Sequence, residues 1–457
     1  MRPTLIVRGN RVLTPEGLRP ATVTMVDRSI VNVGNVDQHV EAPQVVDAKD
    51  DLVTVGLVDT HVHINEPGRT DWEGFSSATK AALAGGITTV VDMPLNCIPP
   101  TTSSAAALQK LASLKGQNFV NVAFWGGLVP GNVAALEELA TFGVAGVKCF
   151  TCPSGVDEFP AVSRDDIDRA LPVCREHNLT LLVHAEAPGP LAAAERMLQV
   201  KHLDSTLYDT YLQSRPESAE LEAIAMIIDL CRKHNARVHI VHLSSGKAVS
   251  LLKNAQAQGI QITAETCLHY LAFSAEDIGQ GQTHFKCAPP IRDEANRELL
   301  WQGLDAGVIS MLVTDHSPCT PQLKCLDSGD FSKAWGGISS LELGLTVAWT
   351  LASRRGYSIE KLIEWRAVAP ARLARIDRQK GKIAKGYDAD LVIWNERAFH
   401  TIRATELHHR HKLSPYDGMT VAGVVQKTIV GGHVAFDREL GFDATPRGEF
   451  LVCRKDT

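Results

Sequence analysis

Cysteine is sparse: ten residues in 457, far below the roughly 8–10% of small disulfide-built scaffolds. A disulfide framework is therefore not expected, and a reducing interior keeps such thiols free. Cys149 and Cys152 form a C-x-x-C, and Cys319 and Cys325 lie near a second loop. No second close-spaced pair completes four ligands, which argues against a structural cysteine–zinc site. No apolar run reaches the ~20 residues that a bilayer-spanning helix needs. The opening MRPTLIVRGN lacks the apolar core and cleavage site of a secretory leader. Charge of one sign is also scarce, with 46 basic against 52 acidic side chains giving −6. That mild balance, spread along the chain, leaves no footprint for nucleic acid or an anionic membrane. The expectation is a soluble, cytoplasmic protein. There is no G-x-G-x-x-G loop opening a helix, no G-x-S-x-G elbow, and no low-complexity or short-period repeat.

What is present is apolar content of 44% in a chain long enough for a large core and more than one domain. The middle alternates strand-like and helix-like patterns. Strand-like runs occur at Val53–His63, Ile87–Met93, Val120–Leu128, Val144–Phe150, Leu179–His184, Val238–Leu243, Ile260–Thr266 and Val308–Asp315. The clearest helix is Glu217 to His234, with Leu221, Ile224, Ala225 and Ile228 on one face and Pro216 suited to its first turn. Eight such repeats predict an α/β fold, a closed parallel (β/α)8 barrel, ahead of an open doubly wound sheet. The two ends instead carry short β-rich pieces, LIVRGNRVLTPEG and ATVTMVDRSIVNVG at the front, GKIAKGYDADLVIW and VAGVVQKTIVGGHVAF at the back. Neither end is long enough for a good core. Residues 1–53 and 377–457 are expected to combine into one small β-sandwich domain, with the barrel, 54–376, inserted between them.

The run from Val53 ends in Asp59-Thr60-His61-Val62-His63. Alternate residues of a strand share a face, so His61 and His63 point the same way, a natural half-site for a metal. Later runs carry Lys148, His184, His242 and Asp315 at or near their ends. Barrel enzymes build their sites at the carboxyl ends of their strands, so six candidates at such ends form one signal. Each alone has a blander reading: a structural histidine, a surface lysine, a capping aspartate. His239 is three residues from His242 and is expected to face away, against a helix.

An ammonium has no lone pair to offer a metal. Burial lowers a lysine's pKa and frees the amine, which CO2 can convert to a two-oxygen carbamate. Lys148 is thus the candidate N-carboxylated bridge between two divalent ions. Two metals about 3.5–4 Å apart share a hydroxide at neutral pH. Asp315 beside them is placed to take its proton and deliver it to a leaving nitrogen. A nitrogen and oxygen donor set suits Zn, and also Mn, Co, Ni or Fe. Ser317 fits a substrate contact rather than a nucleophile.

With these motifs in view, the sequence resembles the amidohydrolase superfamily, in its cyclic-amidase branch of dihydroorotases, hydantoinases, dihydropyrimidinases and allantoinases. The resemblance covers nearly the whole chain, from VRGNRVLTPEG to GKIAKGYDADLVIW. It implies a barrel with a small composite β-domain, His61, His63, Lys148, His184, His242 and Asp315 as ligands, and a homo-oligomer, a tetramer. Within the branch, EPGRTDWEGF, DMPLNCIPPTT, KCFTCPSGVDEFP, TDHSPC and WGGISSLELGL are most similar to the allantoinases. That implies hydrolysis of a small cyclic ureide, allantoin to allantoate. A broad hydantoinase or dihydropyrimidinase is the alternative. A non-catalytic assembly relative is a third, though such a protein needs no intact ligand set.

Dihydroorotases of this type carry HVHLREPG, whose Arg holds a substrate carboxylate. Here HVHINEPG places Asn65 there, and a neutral amide cannot make the bidentate pair. A neutral ring is favoured, unless Arg69 nearby supplies the missing cation. Asn96 either hydrogen-bonds substrate amides or serves its turn. The resemblance suggests that backbone near Cys287, in KCAPPIRD, binds ring amides. His408, His409 and His411 are expected in a solvated loop.

Overall fold

The computed structural model describes residues 2–38 and 41–453. The first strands are β1 (Leu5–Thr14), β2 (Gly17–Val26), β3 (Ser29–Gly34) and β4 (Gln44–Val55). The barrel staves follow as β5 (Leu57–Val62), β6 (Ile87–Asp92), β7 (Asn121–Phe124), β8 (Gly126–Gly127), β9 (Val147–Phe150), β10 (Leu181–His184), β11 (Val238–Ile240), β12 (Ile262–Cys267) and β13 (Met311–Val313). The last strands are β14 (Leu391–Thr401), β15 (Thr420–Val430), β16 (His433–Asp437) and β17 (Gly441–Phe442).

Neighbouring staves are parallel, β5-β6-β7 and β8 through β13. Because β7 and β8 are halves of one stave, the described residues form an eight-stave barrel. Most staves are buried along their whole length, which follows from helices outside and packed side chains inside. The ring closes where His63 N donates to the His316 carbonyl at 2.8 Å. A buried ion pair, Arg366 to Asp59 at 3.0 Å, holds the same junction, and Arg366 also donates to the Leu312 carbonyl. Between staves, helix Arg164–Glu176 starts from a capping box of Ser163 and Asp166.

The two ends of the chain share an eight-stranded sheet, ordered β17-β16-β15-β14-β4-β1-β2-β3. The β4–β14 pairing, Val53 opposite Ile393 and Val55 opposite Leu391, joins them. The run expected as one strand, Val53–His63, therefore serves two sheets. It changes allegiance at Gly56, where an added Cβ would lie 2.2 Å from Thr88 Cγ2. The run Val120–Leu128 is likewise interrupted, because Trp125 turns its amide to the Asp92 carbonyl and its indole to the Thr60 carbonyl. The segment after Gly448 returns to this break. Val122 N donates to the Glu449 carbonyl, Leu451 N to the Val122 carbonyl and Cys453 N to the Gly143 carbonyl.

Helix Glu217–His234 forms as expected, but Pro216 sits at its N-cap rather than in its first turn. Ile224 and Ile228 are buried while Ala225 is exposed. Ala223, Ile227 and Cys231 complete the packed face instead.

Candidate metal centre

β5 carries His61, and His63 follows it. Nδ1 of His61 is 2.5 Å from Glu265 Oε1, so its Nε2 is the free nitrogen, 3.2 Å from Lys148 Nζ and 3.4 Å from Asp315 Oδ1. Nε2 of His63 lies 3.6 Å from the same Asp315 oxygen. On the other side, His184 Nε2 is held by Glu186 at 2.6 Å, leaving Nδ1 to face His242 Nε2 at 2.9 Å. All six sequence candidates thus meet in one buried cluster, the His61 and His242 rings 5.3 Å apart and Lys148 Nζ beside His61.

The backbone contributes. His242 and Asp315 have φ of 38° and 42°, a left-handed region that non-glycine residues enter at a cost of about 1–3 kcal/mol. Both strands end before these residues, and the turn swings their side chains inward. That corrects the expected opposition of His239 and His242. His239 faces the barrel interior, bonded to Thr263 Oγ1 at 2.7 Å and Glu265 Oε2 at 3.1 Å, rather than packing on a helix.

Burial sets the charge states. It lowers Lys148 to about 8 and raises Asp315 to about 6. Burial, followed by the Lys148 cation, holds His61 and His63 well below the ordinary histidine range. His242 is likewise held well below, by burial and then His184, and burial lowers His184 too. Neutral imidazoles are the form that binds metal. The donors fit: His61, His63 and Asp315 present ligand atoms within 4.8 Å of one another, and the buried His242 Nδ1 has no partner among the described residues.

A cavity of about 420 Å³ opens over this cluster, lined by His63, Lys148, His184, His242 and Asp315 together with Asn96, Cys287 and Ser317. Asn96 Nδ2 lies 3.3 Å from His63 Nδ1. Ser317 Oγ donates to Asp315 Oδ1 at 3.0 Å. The Cys287 carbonyl accepts from the Tyr211 hydroxyl, and burial pushes its thiol above the ordinary range. Asn65 and Arg69 are not among the residues that line this cavity. Asn65 donates to the Pro318 carbonyl. Arg69 is committed to Glu158 and the Asn96 carbonyl.

The expected solvated loop at His408–His411 is also corrected. His409 is fully buried, its ring 5.6 Å from that of His316, and His411 Nε2 bonds the Asp71 carbonyl at 2.7 Å. The docking partner is a barrel loop, which local sequence does not reveal. Missed altogether were Glu265, Glu186 and Arg215. Two signals existed: an acid in the apolar run Ile260–Thr266, and an acid two residues beyond His184.

A parallel barrel that gathers nitrogen and oxygen donors at the carboxyl ends of its strands is the frame of a metal-dependent hydrolase. The amidohydrolase family profile matches residues 52–435, and the chain belongs to that family. It is 44% identical over 449 residues to an allantoinase of Streptomyces avermitilis, covering 98% of each chain. It is 46% identical over 400 residues to an allantoinase of Saccharomyces cerevisiae, covering 87% of this chain and 85% of the other. Among solved structures it is similar to an L-hydantoinase (dihydropyrimidinase) from Arthrobacter aurescens, with a TM-score of 0.94, 29% identity and coverage of 98% and 100%. No helix among the described residues is long and apolar enough to cross a membrane.

Proposed function

We propose that the chain is an allantoinase, opening the ring amide of allantoin with water to give allantoate. The similarity to curated allantoinases along most of the chain carries the choice of ring; the buried donor cluster beneath a cavity supports the reaction class. The proposed ligands are His61, His63, His184, His242, Asp315 and N-carboxylated Lys148, holding two divalent ions, Zn first. Residues 54–376 are the catalytic barrel in this reading, and the working form is a cytoplasmic homotetramer.

When bound, the ions would acidify water and polarise the scissile carbonyl. The neutral Lys148 amine adds CO2 and loses a proton, giving a carbamate whose two oxygens replace the repelling ammonium. Asp315 Oδ1 takes the proton of the attacking water and returns it to the ring nitrogen as the C–N bond breaks. The carbonyl carbon leaves as a carboxylate and the nitrogen as the amide of a new ureido group. Ser317 steadies the Asp315 carboxylate. Glu265 and Glu186 fix which nitrogens of His61 and His184 face the centre.

The test is a side-by-side assay of metal-replete protein on allantoin, hydantoin, dihydrouracil and dihydroorotate. Preference for allantoin supports the proposal. Preference for hydantoin or dihydrouracil transfers it to a hydantoinase or dihydropyrimidinase, the reading favoured by the structural neighbour. Intact-mass measurement under gentle conditions tests the carbamate: a bare Lys148 beside two bound metals would refute it.

A further inference from the structure

Histidines aside, the charged side chains lining the cavity are Lys148, Arg215, Lys286, Lys333 and Asp315. Lys333 is exposed and pairs with Asp330. Lys148 and Asp315 belong to the metal cluster. Arg215 and Lys286 form a separate wall with Tyr211. Lys286 Nζ stands 5.0 Å over the Tyr211 ring, and Arg215 follows directly after helix Tyr208–Ser214.

The two cations differ in what they have to spare. Arg215 commits Nε and Nη2 to the Glu186 carboxylate, which neutralises it. Lys286 gives one N–H to the Ala334 carbonyl at 2.6 Å, the one protein hydrogen bond its ammonium makes among the described residues. An ammonium has three donors, so two remain for the cavity. The backbone beneath is fixed, since the Lys286 carbonyl accepts from Gly337 N at 2.8 Å and from Lys324 Nζ at 3.2 Å.

We propose that Lys286, backed by Arg215, is the subsite for the substituent on the ring, where it recognises the ureido carbonyl and selects polar-substituted rings over bare ones. This rests on the ring-amidase reading above. Lys286 adjoins Cys287, where the ring amides are expected, so a group projecting from the ring reaches it next. One ammonium already sharing a carbonyl suits a single neutral acceptor better than the bidentate pairing a carboxylate takes from Arg. A carboxylate substituent offers related acceptor chemistry, and dihydroorotate tests for it.

The experiment measures kcat/KM for allantoin, hydantoin and dihydroorotate in Lys286→Met, Lys286→Gln and Lys286→Arg. The allantoin-to-hydantoin ratio should fall roughly tenfold to a hundredfold in the Met and Gln variants, the size of a charge-assisted hydrogen bond. Arginine should restore most of it. A ratio unmoved in both Met and Gln variants overturns the proposal. So does a larger loss for dihydroorotate than for allantoin. A wild-type protein that opens hydantoin but not allantoin refutes the allantoinase reading itself, whatever the variants do.

Discussion

Nδ1 of His61 meets Glu265 Oε1 across 2.5 Å, in a place where both side chains are fully buried. The second oxygen of the same carboxylate holds His239 Nε2 at 3.1 Å. One acid thus ties two staves of the barrel to a third and fixes the His61 tautomer. Its Nε2 is left bare toward Lys148 and Asp315.

Glu265→Gln should therefore weaken metal binding about tenfold to a hundredfold, the usual effect of losing such a partner. Titration with a chelator-buffered metal series reads this directly, and circular dichroism should be unchanged. Wild-type affinity in the variant would strip Glu265 of its orienting role.

Asp315→Asn keeps the shape of the side chain but cannot take up a proton. kcat should drop by about 10²–10⁴, the range for losing a general base. Thermal unfolding should move little by comparison. Turnover close to wild type would place the base elsewhere.

Lys324 is buried, and its ammonium is met by the carbonyls of Lys286, Trp335 and Gly337 rather than by a carboxylate. Lys324→Met takes this donor from the Trp335 and Gly337 carbonyls behind the cavity wall, while the Lys286 carbonyl keeps Gly337 N. We expect a loss of about 1–3 kcal/mol, measured by the denaturant midpoint. An unshifted midpoint would mean that the carbonyls find other donors.

Gly56→Ala asks for a methyl group 2.2 Å from Thr88 Cγ2. Overpacking of this kind costs about 1–3 kcal/mol. Because Thr88 Oγ1 lies 2.3 Å from the same point, the companion is Gly56→Ala/Thr88→Ala, which should recover part of the loss if the clash is its cause; equal instability in both proteins would point to the backbone instead.

The barrel was legible because parallel staves are short, apolar and spaced by helical patterns, and because alternation places His61 and His63 on one face. The cluster was legible because each donor lies in or just after such a run. Less legible was whatever depends on partners distant in sequence. Glu265 and His239 act across staves. Arg215 reaches Glu186 from 29 residues away. His409 is buried by a loop more than 300 positions earlier, as the neighbouring pair of Arg410 and Glu73 shows. Asn65 and Arg69 adjoin the histidines in sequence, yet each gives hydrogen bonds to backbone carbonyls of distant segments. Strand ends also misled where a left-handed residue cut a run short, as at Asp315.

The return of residues 449–453 to Val122 and Gly143 has a consequence for how the molecule is made. The break between β7 and β9 is sealed by backbone that emerges from the ribosome more than 300 residues later. Until then the third stave keeps unsatisfied amides along one edge, and an open edge invites pairing with other chains. Contacts of such sequence separation slow folding. The third stave is thus paired along both edges only when residues 449–453, made more than 300 positions after it, have been laid alongside.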